Sequence, residues 1–91
     1  MAIKQANIFY TGRVQGVGFR YTVQRICAKY ALAGWTRNLP DKRVEVLIQG
    51  LEEDIQAFVA ELDEAMSGYI RGKQLYWQEK KEEFRDFQIR F

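Results

Sequence analysis

The sequence predicts an α+β sandwich, with two helices packed on one face of a mainly antiparallel sheet in the order strand, helix, strand, strand, helix, strand. Three observations carry this. Two stretches, 19–30 and 51–66, repeat apolar residues at helical spacing. Short runs before, between and after them alternate apolar and polar residues. A Pro-Asp turn joins the two central runs into a hairpin.

From the start of the chain, Ala6, Ile8 and Tyr10 share one face opposite Asn7 and Phe9, the pattern of a half-buried strand. Gly12 to Gly18 then breaks the pattern with three glycines in seven residues. Phe19, Val23, Ile26, Cys27 and Tyr30 form the stripe of the first helix. Gly34 to Asn38 is a short strand. In Leu39-Pro40-Asp41-Lys42, proline suits the second position of a type I turn and aspartate the next. Arg43 to Gln49 alternates, with Val44, Val46 and Ile48 on one face and Glu45 and Gln49 on the other. The second helix runs from Leu51 to Met66 on a stripe of Ile55, Phe58, Val59, Leu62 and Met66, and Gly68 is expected to end it. Glu52, Glu53 and Asp54 suit the positive end of its dipole. Gln74 to Lys80 carries Leu75 and Trp77 at strand spacing, and Phe87, Ile89 and Phe91 alternate with Gln88 and Arg90 in a last short strand. Strands and helices in this order imply the ferredoxin-like βαββαβ arrangement.

Composition narrows the function. Ninety-one residues, 47% of them hydrophobic, suit one domain over 1–91 with one modest core. A net charge of +2 makes no basic face for nucleic acid by itself. No apolar run approaches the roughly 18 residues of a membrane span. The start, Met1-Ala2-Ile3-Lys4-Gln5, has no signal-peptide core, so the expected compartment is the cytoplasm. The chain has one cysteine, Cys27, one serine, Ser67, and no histidine. A Ser-His or Cys-His pair is therefore impossible, as is a multi-cysteine or imidazole metal site. An enzyme with this inventory works through positioned charges and backbone dipoles, on substrates with good leaving groups. Cys27, on the helix stripe, is expected in the core.

The segment from Gly12 to Arg20 lies between a strand and a helix start. Free N–H groups and the helix dipole suit an anion there, glycines let the chain curl around it, and Arg20 offers a planar fork for two phosphate oxygens. Taken alone, such a turn is more often a plain connection than a phosphate site. The dinucleotide pattern fails because Tyr21 stands where a third glycine belongs. The Walker pattern fails because Gly72-Lys73 is followed by Gln74.

The run Gly12-Arg13-Val14-Gln15-Gly16-Val17-Gly18-Phe19-Arg20 resembles the signature loop of the acylphosphatase family. Gly34-Trp35-Thr36-Arg37-Asn38-Leu39-Pro40-Asp41, followed by Val44-Glu45-Val46 and Gly50, resembles its second signature, and Phe87-Gln88-Ile89-Arg90 its last strand. The likeness spans nearly the whole chain and implies the same ferredoxin-like sandwich. Two departures stand out: Lys42 replaces the glycine usual in the family's hairpin turn, and Tyr69 the proline usual after Gly68. A left-handed Lys42 would cost about 1 kcal/mol or more, so the turn is expected to differ in type.

The resemblance implies hydrolysis of a small-molecule acyl phosphate to a carboxylate and inorganic phosphate, without cofactor or metal. A leaving carboxylate with a pKa of roughly 4.3 departs without a general acid. The phosphoryl group can take the water's proton itself, so no histidine is needed. By the same resemblance, Arg20 grips the phosphate and Asn38 orients the attacking water. The backbone of Gln15, Gly16, Val17, Gly18 and Phe19 forms the cradle, where inorganic phosphate or sulfate would also bind. Otherwise Arg20 is a solvated helix-start arginine, and Asn38 a turn-entry residue before Pro40. Arg13 is either a contributor of positive field or a plain surface residue. Trp35, Tyr76 and Trp77 are expected in the core or on a sheet face, and Glu79 to Glu83 as a solvated connection. The protein is expected to act as a monomer, with no nucleic-acid or membrane partner. RNA-recognition sheets share the strand order, but Val44-Glu45-Val46-Leu47-Ile48 lacks their aromatic motif. A domain of this family turned binding or regulatory part is the other alternative.

Overall fold

The computed structural model describes residues 3–91. Met1 and Ala2, part of the stretch expected to hold no signal-peptide core, lie outside the described residues. The elements in chain order are β1 (Ile3–Gly12), α1 (Phe19–Lys29), β2 (Ala33–Asn38), β3 (Val44–Leu51), α2 (Glu52–Ala65), β4 (Ile70–Gln78) and β5 (Phe87–Arg90). They build one sheet in the order β4-β1-β3-β2-β5. Pairing is antiparallel throughout except between β2 and β5, which run parallel. This is the expected ferredoxin-like sandwich.

The alternation read from the sequence sets the core. Ala6, Ile8 and Tyr10 of β1 and Val44, Val46 and Ile48 of β3 are fully buried. Phe19, Val23, Ile26 and Cys27 of α1 and Ile55, Phe58 and Leu62 of α2 meet them in one cluster. Burying each large side chain contributes roughly 1.5–3 kcal/mol, which fixes both helices on that face.

The opposite face departs from simple alternation. Glu45, Leu47 and Gln49 are also buried, because β3 is the central strand of five. Buried polar groups need partners. Glu45 accepts hydrogen bonds from Asn7 and Arg37. Gln49 donates to Gln5 and to the carbonyl of Glu82, and accepts from the Phe84 N–H. The connection from 79 to 86 is therefore exposed but tethered, where the sequence suggested only a solvated link. Trp35 is buried on this face, whereas Tyr76 and Trp77, on edge strand β4, stay about half exposed.

Gly68 does not end α2 by a left-handed turn, since no positive φ occurs there. Met66 caps the helix instead, and its carbonyl accepts the N–H groups of Tyr69 and Ile70.

The β2–β3 turn corrects a second expectation. Lys42 N–H donates to Leu39 O at 3.1 Å, closing the type I turn around Pro40 and Asp41. Lys42 itself has φ 80°, and Leu39 N–H reaches Arg43 O at 2.8 Å. This is a type I turn followed by a left-handed residue, and the lysine adopts the conformation that glycine would take freely. Lys42→Gly is accordingly expected to stabilise the protein by about 1 kcal/mol, read as a raised denaturant midpoint at unchanged slope. A lowered midpoint would show that Lys42 is not strained.

Candidate active site

The loop from Arg13 to Gly18 leaves β1 at the end where α1 begins. Gly16 and Gly18 both take left-handed φ values, 76° and 78°. Gly18 occupies the cap position of α1, and its carbonyl receives both the N–H and the hydroxyl of Thr22. No side chain caps this helix, and its first turn holds no acidic residue. The contrast with α2, which opens on Glu52, Glu53 and Asp54, is direct. Among the described residues, no backbone carbonyl accepts an N–H from Gln15, Gly16, Val17, Gly18 or Phe19. Positive dipole, free N–H groups and an arginine in the first turn all accumulate at one place, a combination that suits an anion. Beneath the loop, Val14 and Phe19 are buried, and the Phe19 ring packs on Tyr10 with centroids 5.3 Å apart. The loop thus stands on the core.

Arg20 is half-buried. Its Nη1 donates to the carbonyl of Arg90 at 3.1 Å, and its guanidinium lies over the Phe91 ring at 4.8 Å. The rest of its fork has no hydrogen-bond partner among the described residues, which leaves donors for two anionic oxygens. Arg90 is the register partner of Arg37, the residue before Asn38. Strand β5 therefore holds the Arg20 head beside the end of β2.

Asn38 ends β2, opposite Val44. Its Oδ1 is buried and accepts no hydrogen bond from the described residues. The turn that follows closes without it. Backbone bonds do so, together with the Gln15 side chain and Asp41, whose carboxylate takes the Arg43 N–H and guanidinium. Those Arg43 hydrogen bonds hold the Asp41 carboxyl below its ordinary pKa. Their support is thus present above the usual carboxylate range and fades as pH falls through it.

The remaining nucleophile candidates are silent. Burial pushes both the Cys27 thiol and the Tyr10 phenol far up, so each stays protonated in the core. Among the described residues, no three His, Cys, Asp or Glu side chains gather as metal ligands. An open cleft of about 380 Å³ between the end of α2 and β4 is lined by Asp63, Ser67, Ile70, Arg71, Gly72 and Lys73, none of them a predicted site residue. Arg13 is exposed, with its guanidinium 5.8 Å from the Tyr69 ring centroid. The structure brings the loop, Arg20 and Asn38 to one corner. What the sequence reading missed there is the Gln15 side chain, since spacing alone cannot reveal a bond to a hairpin 24 residues away.

The sequence model of the acylphosphatase family matches residues 6–89. An acylphosphatase from Methanospirillum hungatei is 37% identical over 79 residues, 87% of this chain and 87% of that protein. Other curated acylphosphatases match over 54–61% of their own length. The crystal structure of acylphosphatase from Bacillus subtilis superposes with a TM-score of 0.88 at 35% identity, covering 99% of this chain and all of that one. HypF from T. kodakarensis matches with a TM-score of 0.84 at 32% identity, over 97% of this chain but only 12% of its own.

Proposed function

Given that the chain belongs to the acylphosphatase family and is a hydrolase of acyl phosphates, we propose that Arg20 and Asn38 divide the work of that reaction. The N–H groups of Gln15 to Phe19 and the Arg20 fork take the phosphoryl oxygens of the substrate. Asn38 holds the attacking water through Oδ1. The observation that carries this division is the meeting, at one corner of the sheet, of an Arg20 fork with donors to spare and a buried Asn38 acceptor, neither the spare donors nor the acceptor having a partner among the described residues. A buried acceptor left unpaired costs about 1–3 kcal/mol, an expense that a reacting water would offset.

Attack on the phosphoryl group spreads charge over its equatorial oxygens, and fixed N–H dipoles with one guanidinium stabilise that charge without reorganising. The departing carboxylate needs no acid, and the water's proton goes to the phosphoryl oxygens. The role of each residue thus asks only for position and charge. We place the activity in a monomer built as one domain over 1–91, acting in the cytoplasm, where the free Cys27 thiol fits a reducing compartment.

Inorganic phosphate and sulfate should inhibit competitively, with the backbone amides of Gln15 to Arg20 shifting in an NMR titration. Shifts confined to 79–83, with the loop unmoved, would remove the cradle. The alternative of a binding or regulatory domain gains weight from the HypF match, in which a domain of this kind forms a small part of a longer chain. Turnover by the 91-residue chain itself separates the two.

A further inference from the structure

Resting on that division of roles, we propose that Gln15 is a positioning residue whose side-chain amide sets the distance between the phosphate cradle and the water held by Asn38. Its Nε2 donates to Leu39 O at 2.9 Å and to Arg43 O at 3.0 Å. Both amide hydrogens are thereby used. The two carbonyls belong to the pair that closes the β2–β3 turn, where Leu39 N–H also reaches Arg43 O. Leu39 directly follows Asn38. Two hydrogen bonds therefore pin the loop to the hairpin one residue from the water-holding side chain. Among the described residues, no other hydrogen bond joins 13–18 to 38–44.

The need for such a clamp follows from the elements it joins. The loop carries two glycines at positive φ, and the hairpin turn carries the strained Lys42. The sheet holds them together only at their bases, through the Tyr10–Val44 pair of β1 and β3. Arg20 is fixed separately, by the carbonyl of Arg90 on β5. Phosphate can thus be gripped well while still lying at the wrong distance from the water. In-line attack tolerates little error, and a displacement of about 1 Å can cost on the order of 10²-fold in rate. The clamp acts on that distance and touches neither the phosphate nor the water.

The test compares Gln15→Leu and Gln15→Glu with wild type on a synthetic acyl phosphate, well below the unfolding temperature. Wild type must turn the substrate over first. Its failure would strike the roles of Arg20 and Asn38, whereas the outcomes below concern the clamp alone. Gln15→Leu keeps the bulk and removes both donors, so kcat should fall by roughly 10- to 100-fold while the inhibition constant of inorganic phosphate moves by less than about threefold. Gln15→Glu faces two carbonyl oxygens with a carboxylate at neutral pH and should fall at least as far. Protonation restores one donor, so the ratio of its kcat to that of wild type should rise between about pH 7.5 and about pH 5. An unchanged kcat in Gln15→Leu, or phosphate affinity lost in step with kcat, overturns the proposal. Should Gln15→Leu fail to fold, the Gln15→Glu ratio decides: a rise supports the clamp and a flat ratio overturns it.

Discussion

Arg20→Ala is expected to lose at least about 10²-fold in kcat/KM and most of its phosphate affinity, with the fold intact. The fold should survive because the side chain is half-buried, and its links to the rest are one hydrogen bond to Arg90 O and one ring contact. Neither belongs to the core, so the cost in stability is small. The catalytic cost is expected to be large because, in the proposed division of roles, the guanidinium is the charged donor to the phosphoryl oxygens. Removing a preorganised donor of this kind typically costs 10²- to 10³-fold. Arg20→Lys should fail badly as well, since a single ammonium cannot pair two oxygens and also reach the Arg90 carbonyl. Steady-state kinetics with circular dichroism on both variants check this. Near-normal turnover by a folded Arg20→Ala protein would remove its assigned role.

Asn38→Ala should behave differently. Turnover is expected to fall by a similar order while phosphate affinity stays within a few-fold of wild type. Asn38 lies on β2, whereas the proposed cradle amides belong to the β1–α1 loop, so on the proposed roles its loss would act on the nucleophile and leave the anion's ligands in place. Stability should hold or rise, because a buried acceptor with no partner among the described residues disappears and the turn closes through other groups. Phosphate dissociation constants, single-turnover rates and denaturant midpoints separate the possibilities. Affinity lost as severely as in Arg20→Ala would make Asn38 a phosphate ligand. A clear loss of stability would make it a structural turn residue.

Much of this was legible in the sequence because periodicity reports burial directly. Ala6, Ile8 and Tyr10, or Ile55, Phe58 and Leu62, reveal their buried face by spacing, and spacing survives folding unchanged. Where a residue's surroundings come from distant parts of the chain, spacing is mute. Glu45 and Gln49 read as an outward face, yet on the central strand both are buried, Glu45 bonded by Asn7 and Arg37 and Gln49 by the connection at 79–86. Lys42 read as an argument for a different turn. The hairpin register, set by the β2–β3 pairing, overrides the preference of one residue and forces it left-handed. Within the proposed site, the loop and Arg20 stand out in the sequence as a pattern, and Asn38 is singled out only by family resemblance. The Gln15 clamp was not visible, because a side-chain amide that bridges two backbone carbonyls leaves no compositional trace.

One measurement tests the central claim, attack of a held water on the phosphoryl group, most directly: single-turnover hydrolysis of a synthetic acyl phosphate by the wild-type chain in ¹⁸O-labelled water. A phosphoryl group held in the loop and a water held by Asn38 predict accelerated release with the label in inorganic phosphate. Label in the carboxylate, or release no faster than in buffer alone, would contradict it.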